Sequence, residues 1–274
     1  MAIRMIGLDL DGTTLDNKGR FSTRTKEAFH NARNKGTHIV VATGRTLCSL
    51  PSELFEIDGL EYVITSNGAR IIETKNCDTI YENFISGEAT REIHDLLKPS
   101  GANIEIFFDG RAYIGLPEYE MIRNGGPSKR DRDYVISTRK PVDDIYEMLL
   151  KEAGRIENIS INYIYEEEKK QIEGMLEGIK NVTVTSSFPH NNEVGGKTTS
   201  KATALKHMME VLSIGREELM CCGDSLNDIE MIKLAEIGVA MQNAVQEVKE
   251  KANYITDFNY EDGVAKAIER FVLL

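Results

Sequence analysis

Four short apolar runs limit how this chain can fold, because each stops abruptly in polar residues where a buried strand must surface. Ile3-Arg4-Met5-Ile6-Gly7-Leu8 leads into Asp9-Leu10-Asp11-Gly12-Thr13-Thr14, and His38–Ala42 into Thr43-Gly44-Arg45. Residues 62–65 lead into Ser66-Asn67-Gly68, and Leu219-Met220-Cys221-Cys222 into Gly223-Asp224. Short apolar runs bounded by turn residues read as strands buried on both faces. Segments with helical spacing lie between them. Residues 23–35 follow a cap at Ser22 or Thr23, with Ala28, Phe29 and Ala32 inward and Gly36 at the stop. Helices are also expected over 46–55, over 200–212 with Ser200 as cap, and over 225–235. Short strands at 238–240 and 253–256 and helices at 245–251 and 262–274 continue the alternation. Strand and helix in turn, with short connections, predict an α/β fold built on a doubly wound, mainly parallel sheet.

The alternation breaks in the middle of the chain. A small hairpin at 71–72 and 79–81 is followed by expected helices at 88–98, 143–153 and 167–178. Strand-like pieces at 103–108, 112–115, 134–137, 159–165 and 182–187 are interleaved with them. This mixture reads as a separate α+β domain over residues 84–189, inserted into a core made of residues 1–83 and 190–274. A length of 274 residues suits two domains.

The net charge of −11 is the wrong sign for a general nucleic-acid binder or for electrostatic attachment to acidic membranes. No apolar run approaches the roughly 20 residues needed to span a bilayer. The first strand begins almost at once, which leaves no room for a signal peptide. The four cysteines show no C-x-x-C spacing, and Cys221 and Cys222 lie in an apolar run, as buried thiols in a reducing compartment do. A cytoplasmic protein is expected.

The chemistry gathers at the strand ends, where open α/β sheets bind their ligands. Asp9 and Asp11 are like charges two residues apart, and such a pair needs a cation between its members to stay ionised. Mg2+ is bound through one or two carboxylates together with substrate phosphates. Asp224 brings a third carboxylate, Thr43 a hydroxyl, and Ser66 and Asn67 further polar groups. Each of these is also an ordinary turn residue; their meeting at one edge of one sheet is what points to a site. Lys201 stands in the first turn of its helix, where a cation opposes the helix dipole by about 0.3–1 kcal/mol. That placement makes sense if an anion occupies the helix end. Ser225 and Asp228 match a capping box, and Asn227 is placed to reach a bound phosphate. Gly195-Gly196-Lys197-Thr198 resembles the end of a nucleotide-binding phosphate loop, but Asn191 stands where that motif requires its first glycine.

Taken together, Asp9-Leu10-Asp11-Gly12-Thr13, Ala42-Thr43-Gly44-Arg45, Ser200-Lys201 and Gly223-Asp224-Ser225-Leu226-Asn227-Asp228 resemble the four motifs of the haloacid dehalogenase superfamily. The central insertion, and Ser66-Asn67-Gly68-Ala69 after the third strand, are similar to the Cof-type phosphatases with a class IIB cap. Thr14 departs from the leucine that many relatives carry, and the stretch before Lys201 is more polar than usual. The resemblance implies a Mg2+-dependent phosphomonoesterase acting on small phosphorylated metabolites, with sugar phosphates as candidates. It makes Asp9 the nucleophile and Asp11 the general acid and base, a division the residues alone do not give. It implies Mg2+ ligands from Asp9, the Asp11 backbone carbonyl and Asp224, and phosphate contacts from Leu10, Thr43, Gly44, Lys201 and Asn227, with Asp228 and Asn67 in support. The inserted domain would be a lid. Its basic cluster, Arg123, Lys129, Arg130 and Arg132, either holds a second anion of the substrate or lies solvated on a loop. A phosphomutase with the same phospho-aspartate, and a receiver-like phospho-acceptor module without catalysis, are the other readings.

Overall fold

The opening apolar run forms β1 (Met5–Leu8), buried along its whole length, in a computed structural model that describes residues 2–274. Helix α1 (Thr23–Asn34) follows, its first turn capped by Ser22, whose side chain accepts from the Thr25 N–H. Ala28, Phe29 and Ala32 are buried, and Gly36 beyond the helix takes φ +82°. β2 (His38–Ala42) pairs parallel to β1 and β3 (Leu60–Thr65) parallel to β2. β4 (Arg70–Glu73) and β5 (Thr79–Glu82) extend the same sheet as antiparallel strands. The helix expected over 46–55 does not form. Two short 3-10 turns, Leu47–Ser49 and Ser52–Glu56, flank Pro51 instead. Proline lacks an N–H and pushes the residue before it out of the helical region, and Leu50 is accordingly extended at φ −72°, ψ 145°.

A second compact unit comprises Arg45–Leu50 and Asn83–Thr199. In chain order its larger part holds α2 (Gly87–Leu97), β6 (Asn103–Phe108), β7 (Arg111–Gly115), α3 (Leu116–Arg123), α4 (Arg132–Thr138) and β8 (Arg139–Val142). Then come α5 (Ile145–Lys151), β9 (Ile156–Asn162), α6 (Glu166–Leu176), β10 (Val182–Thr185) and β11 (Asn191–Gly196). The six strands form one sheet in the order β10-β11-β9-β6-β7-β8. Ile104, Ile106, Ile159, Ile161 and Val194 on one face pack with Ile93, Leu97, Leu149, Ile172 and Leu176 of α2, α5 and α6. Two expectations are corrected here. Residues 134–137 lie in α4 rather than a strand, because the Asp131 carboxylate caps that helix by accepting from the Tyr134 N–H at 2.7 Å. Val135 then packs with Ile114 and Ile122. The boundary drawn at residue 189 falls inside this unit, since β11 pairs antiparallel with both β9 and β10.

The chain re-enters the first unit at α7 (Lys201–Leu212), capped by Ser200, and continues through β12 (Leu219–Gly223), α8 (Ile229–Leu234), β13 (Ile237–Ala240), α9 (Gln246–Lys249), β14 (Tyr254–Ile255) and α10 (Gly263–Ile268). The completed sheet reads β14-β13-β12-β1-β2-β3-β4-β5. The strands run outward from β1 on one side and resume beside it at β12, so the winding reverses at the β1/β12 pair. Such a reversal opens a crevice at the carboxyl ends of the strands. Met5, Val40, Ile64, Leu205, Met208 and Met231 belong to the core beneath it.

Candidate active site

Parallel register puts the polar strand ends side by side. Leu8 is level with Val41 on one flank and Cys222 on the other, so Asp9 emerges between Thr43 and Asp224. The Asp9 N–H donates to the Cys222 carbonyl at 3.0 Å. The chain then turns at Gly12, whose φ is +75° and where a Cβ would lie 2.6 Å from Asp224 Oδ2. Only glycine satisfies both conditions. Thr13 Oγ1 donates to Asp224 Oδ1 at 2.8 Å and Ser225 Oγ to Asp224 Oδ2 at 3.2 Å, which fixes that carboxylate from two sides. Thr14 Oγ1 donates to the Asp9 carbonyl at 2.5 Å, and Asn243 Nδ2 donates to the Gly12 carbonyl at 2.7 Å.

Lys201 is only 1% exposed, and its ammonium donates to Asp9 Oδ1 and to Asp228 Oδ1, each at 2.6 Å. The anions expected at the start of α7 are therefore these two carboxylates. Asp228 is fully buried, and its Oδ2 accepts from the N–H groups of Asp224 at 2.9 Å and Ser225 at 3.0 Å. One side chain thus secures both the lysine and the turn after β12. Burial opposes the charge of Lys201, but Asp228 and Asp9 outweigh it and hold the ammonium above the ordinary lysine value. Burial pushes the Asp9 carboxyl up; Lys201 pulls it down, and the Asp228 and Asp224 charges add to the rise. Burial, with Asp228 beside it, pushes Asp224 up to about 6.

Carboxylate oxygens of Asp9, Asp224 and Asp228 all lie within 4.8 Å of one another. Three carboxylates against one ammonium leave an excess of two negative charges in a poorly hydrated site. A hard divalent cation with oxygen ligands neutralises such an excess, so the donor set fits Mg2+. Within this cluster Asp228 is also bound to Lys201 and to the backbone N–H groups of Asp224 and Ser225.

The remaining expected residues occupy the neighbouring strand ends. Thr43 is buried at the end of β2, and its carbonyl accepts from the Asn67 N–H at 3.0 Å. Ser66, Asn67 and Gly68 take φ of +49°, +58° and +105° in succession. A Cβ at Gly68 would lie 2.2 Å from the Ser200 carbonyl, so the end of β3 abuts the cap of α7. Asn67 Oδ1 accepts from Asn227 Nδ2 at 3.0 Å and holds that side chain in place. Leu10 is buried in the turn, while Asp11 and Gly44 are partly exposed. Thr13 and Asn243 were not singled out from the sequence. Thr13 stands within the Asp-x-Asp-Gly-Thr run that signalled the site; Asn243 carries no sequence signal at all. In the basic cluster, Arg123 pairs with Glu120, Arg132 with Asp133, and Arg130 with Glu105 and Glu118, while Lys129 is exposed.

A family model of haloacid dehalogenase-like hydrolases matches residues 6–268. The chain is 33% identical over 273 residues to the 5-amino-6-(5-phospho-D-ribitylamino)uracil phosphatase YcsE of Bacillus subtilis (strain 168), covering 99% of this chain and 96% of that protein. It belongs to the haloacid dehalogenase-like hydrolases. Among solved structures, this hydrolase resembles a haloacid dehalogenase-like hydrolase from B. subtilis with a TM-score of 0.84 at 28% identity, covering 97% and 99% of the two chains. It also resembles the subclass IIB sugar phosphatase BT4131, with a TM-score of 0.83 at 26% identity and coverage of 99% and 100%. The protein is a haloacid dehalogenase phosphatase of subclass IIB. That full-length match sets the receiver-module reading aside. Among the described residues, no helix is long and apolar enough to cross a membrane.

Proposed function

We propose that this phosphatase hydrolyses small phosphorylated metabolites, sugar phosphates among them, through a phospho-aspartate formed on Asp9 with Mg2+ in the acidic cluster. The observation that carries the reading is the buried Lys201 ammonium shared by Asp9 and Asp228 beside Asp224. Asp9, Asp224 and the Asp11 backbone carbonyl would hold Mg2+, which supplies neutralisation between an anionic nucleophile and an anionic substrate. An Asp9 carboxylate oxygen bonds to phosphorus as the bond from phosphorus to the ester oxygen breaks. Asp11 gives its proton to that oxygen, so the alcohol leaves neutral. Asp11, now a carboxylate, takes a proton from water whose oxygen attacks phosphorus; the bond to Asp9 breaks and inorganic phosphate departs. Splitting one displacement into two is the advantage of the covalent route. The Thr43 hydroxyl, the N–H groups of Leu10 and Gly44, Lys201 and Asn227 receive the phosphoryl oxygens, a preorganised set of the kind that dominates phosphoryl-transfer catalysis. Asn67 and Asp228 are positioning residues for Asn227 and Lys201. The inserted α+β unit serves as a lid that excludes bulk water during both steps.

Hydrolysis of p-nitrophenyl phosphate, with and without Mg2+, tests the reading on the protein and on Asp9→Asn. Turnover is expected only with Mg2+ and only with Asp9 intact. Unchanged turnover in Asp9→Asn removes the nucleophile assignment, and metal-independent turnover removes the site. With sugar monophosphates, release of inorganic phosphate is expected; transfer to a second position on the sugar would mark a phosphomutase instead.

A further inference from the structure

Strands β13 and β14 lie on the β12 side of the first sheet, and neither ends in a residue so far placed in the site. The loops that leave them reach it all the same. Asn243, three residues beyond β13, donates from Nδ2 to the Gly12 carbonyl at 2.7 Å. Its Oδ1 accepts from the Asn259 N–H at 3.1 Å. Asn259, four residues beyond β14, donates from Nδ2 to the Leu15 carbonyl at 2.8 Å and to Asn17 Oδ1 at 3.1 Å. All five residues belong to the first unit.

The two amides grip the stretch that carries Asp11. Asp11, at φ −80° and ψ 125°, and Gly12, at φ 75° and ψ −4°, are the central residues of a type II turn. A glycine in the second of those positions accepts either sign of φ, so the peptide between the two can turn over. The direction in which Asp11 leaves the backbone therefore depends on what holds the turn from outside. Asn243 holds its exit, and beyond that point Thr13 reaches Asp224 and Thr14 the Asp9 carbonyl. The loop bearing Asn243 is itself anchored beside the site. The Met241 N–H donates to the Gly223 carbonyl at 3.1 Å, and the Val245 N–H to the Asp224 carbonyl at 3.0 Å. Asn243 is exposed and Asn259 partly so. Hydrogen bonds open to water add little to net stability, so their effect on the turn is separable from any effect on folding.

We propose that Asn243, braced by Asn259, is a positioning residue that fixes the turn so that the Asp11 carboxyl points at the ester oxygen, a role that rests on the phosphatase reading. p-Nitrophenolate leaves without a proton, whereas the alkoxide of 4-nitrobenzyl phosphate, a substrate of similar shape, needs the one Asp11 gives. The comparison is made in kcat/KM at saturating Mg2+, which reports the first displacement. Misplacing a reacting group by about 1 Å costs about 100-fold, so Asn243→Ala is expected to lose about 10–100-fold on 4-nitrobenzyl phosphate and about threefold or less on p-nitrophenyl phosphate. Asn243→Asp still accepts from the Asn259 N–H but offers Gly12 no donor, and should show the same split. An equal loss on both esters, a loss that more Mg2+ restores, or native activity in Asn243→Asp overturns the assignment. If the native protein hydrolyses neither ester, the phosphatase reading fails separately, and amide hydrogen exchange of the metal-free protein decides the grip on the turn. The Leu15 N–H donates to the Leu10 carbonyl across the turn at 2.9 Å. It should exchange about tenfold faster in Asn243→Asp while the amides of α10 keep their native rates, and an unchanged Leu15 rate overturns the grip.

Discussion

Lys201 occupies the helix end where a cation is least welcome, and it is kept there by Asp9 and Asp228 on the other side of its ammonium. Removing one member of a buried ion pair strands its partners at a cost of about 3–5 kcal/mol. Lys201→Met is therefore expected to lower the unfolding free energy by that order, measured in urea, and to abolish turnover. Thr13 offers a finer test. Its hydroxyl aims Asp224 without being a ligand itself, and losing such a supporting partner weakens metal binding by about 10–100-fold. Thr13→Val should raise the Mg2+ concentration for half-maximal activity by that factor while leaving kcat at saturating Mg2+ largely intact. An equal loss of kcat at every Mg2+ concentration would place Thr13 outside the metal's support.

At the scale of elements, α3 and α4 are tied to the second sheet by Glu105, Arg130, Arg139 and Glu118. Burial, with Glu105 beside it and Arg130 opposing, raises Glu118 from 4.5 to about 7. The folded chain therefore binds more protons than the unfolded chain between those two values, and stability falls as pH rises through that window. Glu118→Gln, which stays neutral, should match the native protein in melting temperature near pH 5 and exceed it near pH 8. A constant gap at both pH values would contradict this. The same region shows where sequence reading loses its grip. β1, β2 and β12 were legible because each is an apolar run that stops at a candidate site residue, Asp9, Thr43 and Asp224 in turn. Residues 134–137 carry strand-forming side chains, and one carboxylate three residues upstream of Tyr134 made them helical. β11 has a single large apolar residue, Val194, and is a strand because β9 and β10 pair with it on both sides. No local pattern announces that. In the site, residue types and order disclosed Asp9, Lys201 and Asp224, whereas the contact from Asn243 to the Gly12 carbonyl depends on tertiary placement alone.

For the molecule as a whole, a metal that binds only the folded chain stabilises it by mass action. At a hundredfold excess over Kd, Mg2+ should add about 2.7 kcal/mol to the unfolding free energy. Asp224→Asn should lose most of that increment, and a chelator should return the native protein to its metal-free melting temperature. An equal Mg2+ shift in Asp224→Asn would put the metal elsewhere. The insertion between β5 and α7 also sets a clock. Asp9 and Lys201 are 192 residues apart, and at about 5–20 residues per second a ribosome needs roughly 10–40 s to bridge that interval. Residues 83–199 leave the ribosome as one continuous stretch in the meantime. Throughout that wait β1 lacks β12, the sheet keeps an open edge, and the nascent protein depends on whatever shields that edge until β12 arrives.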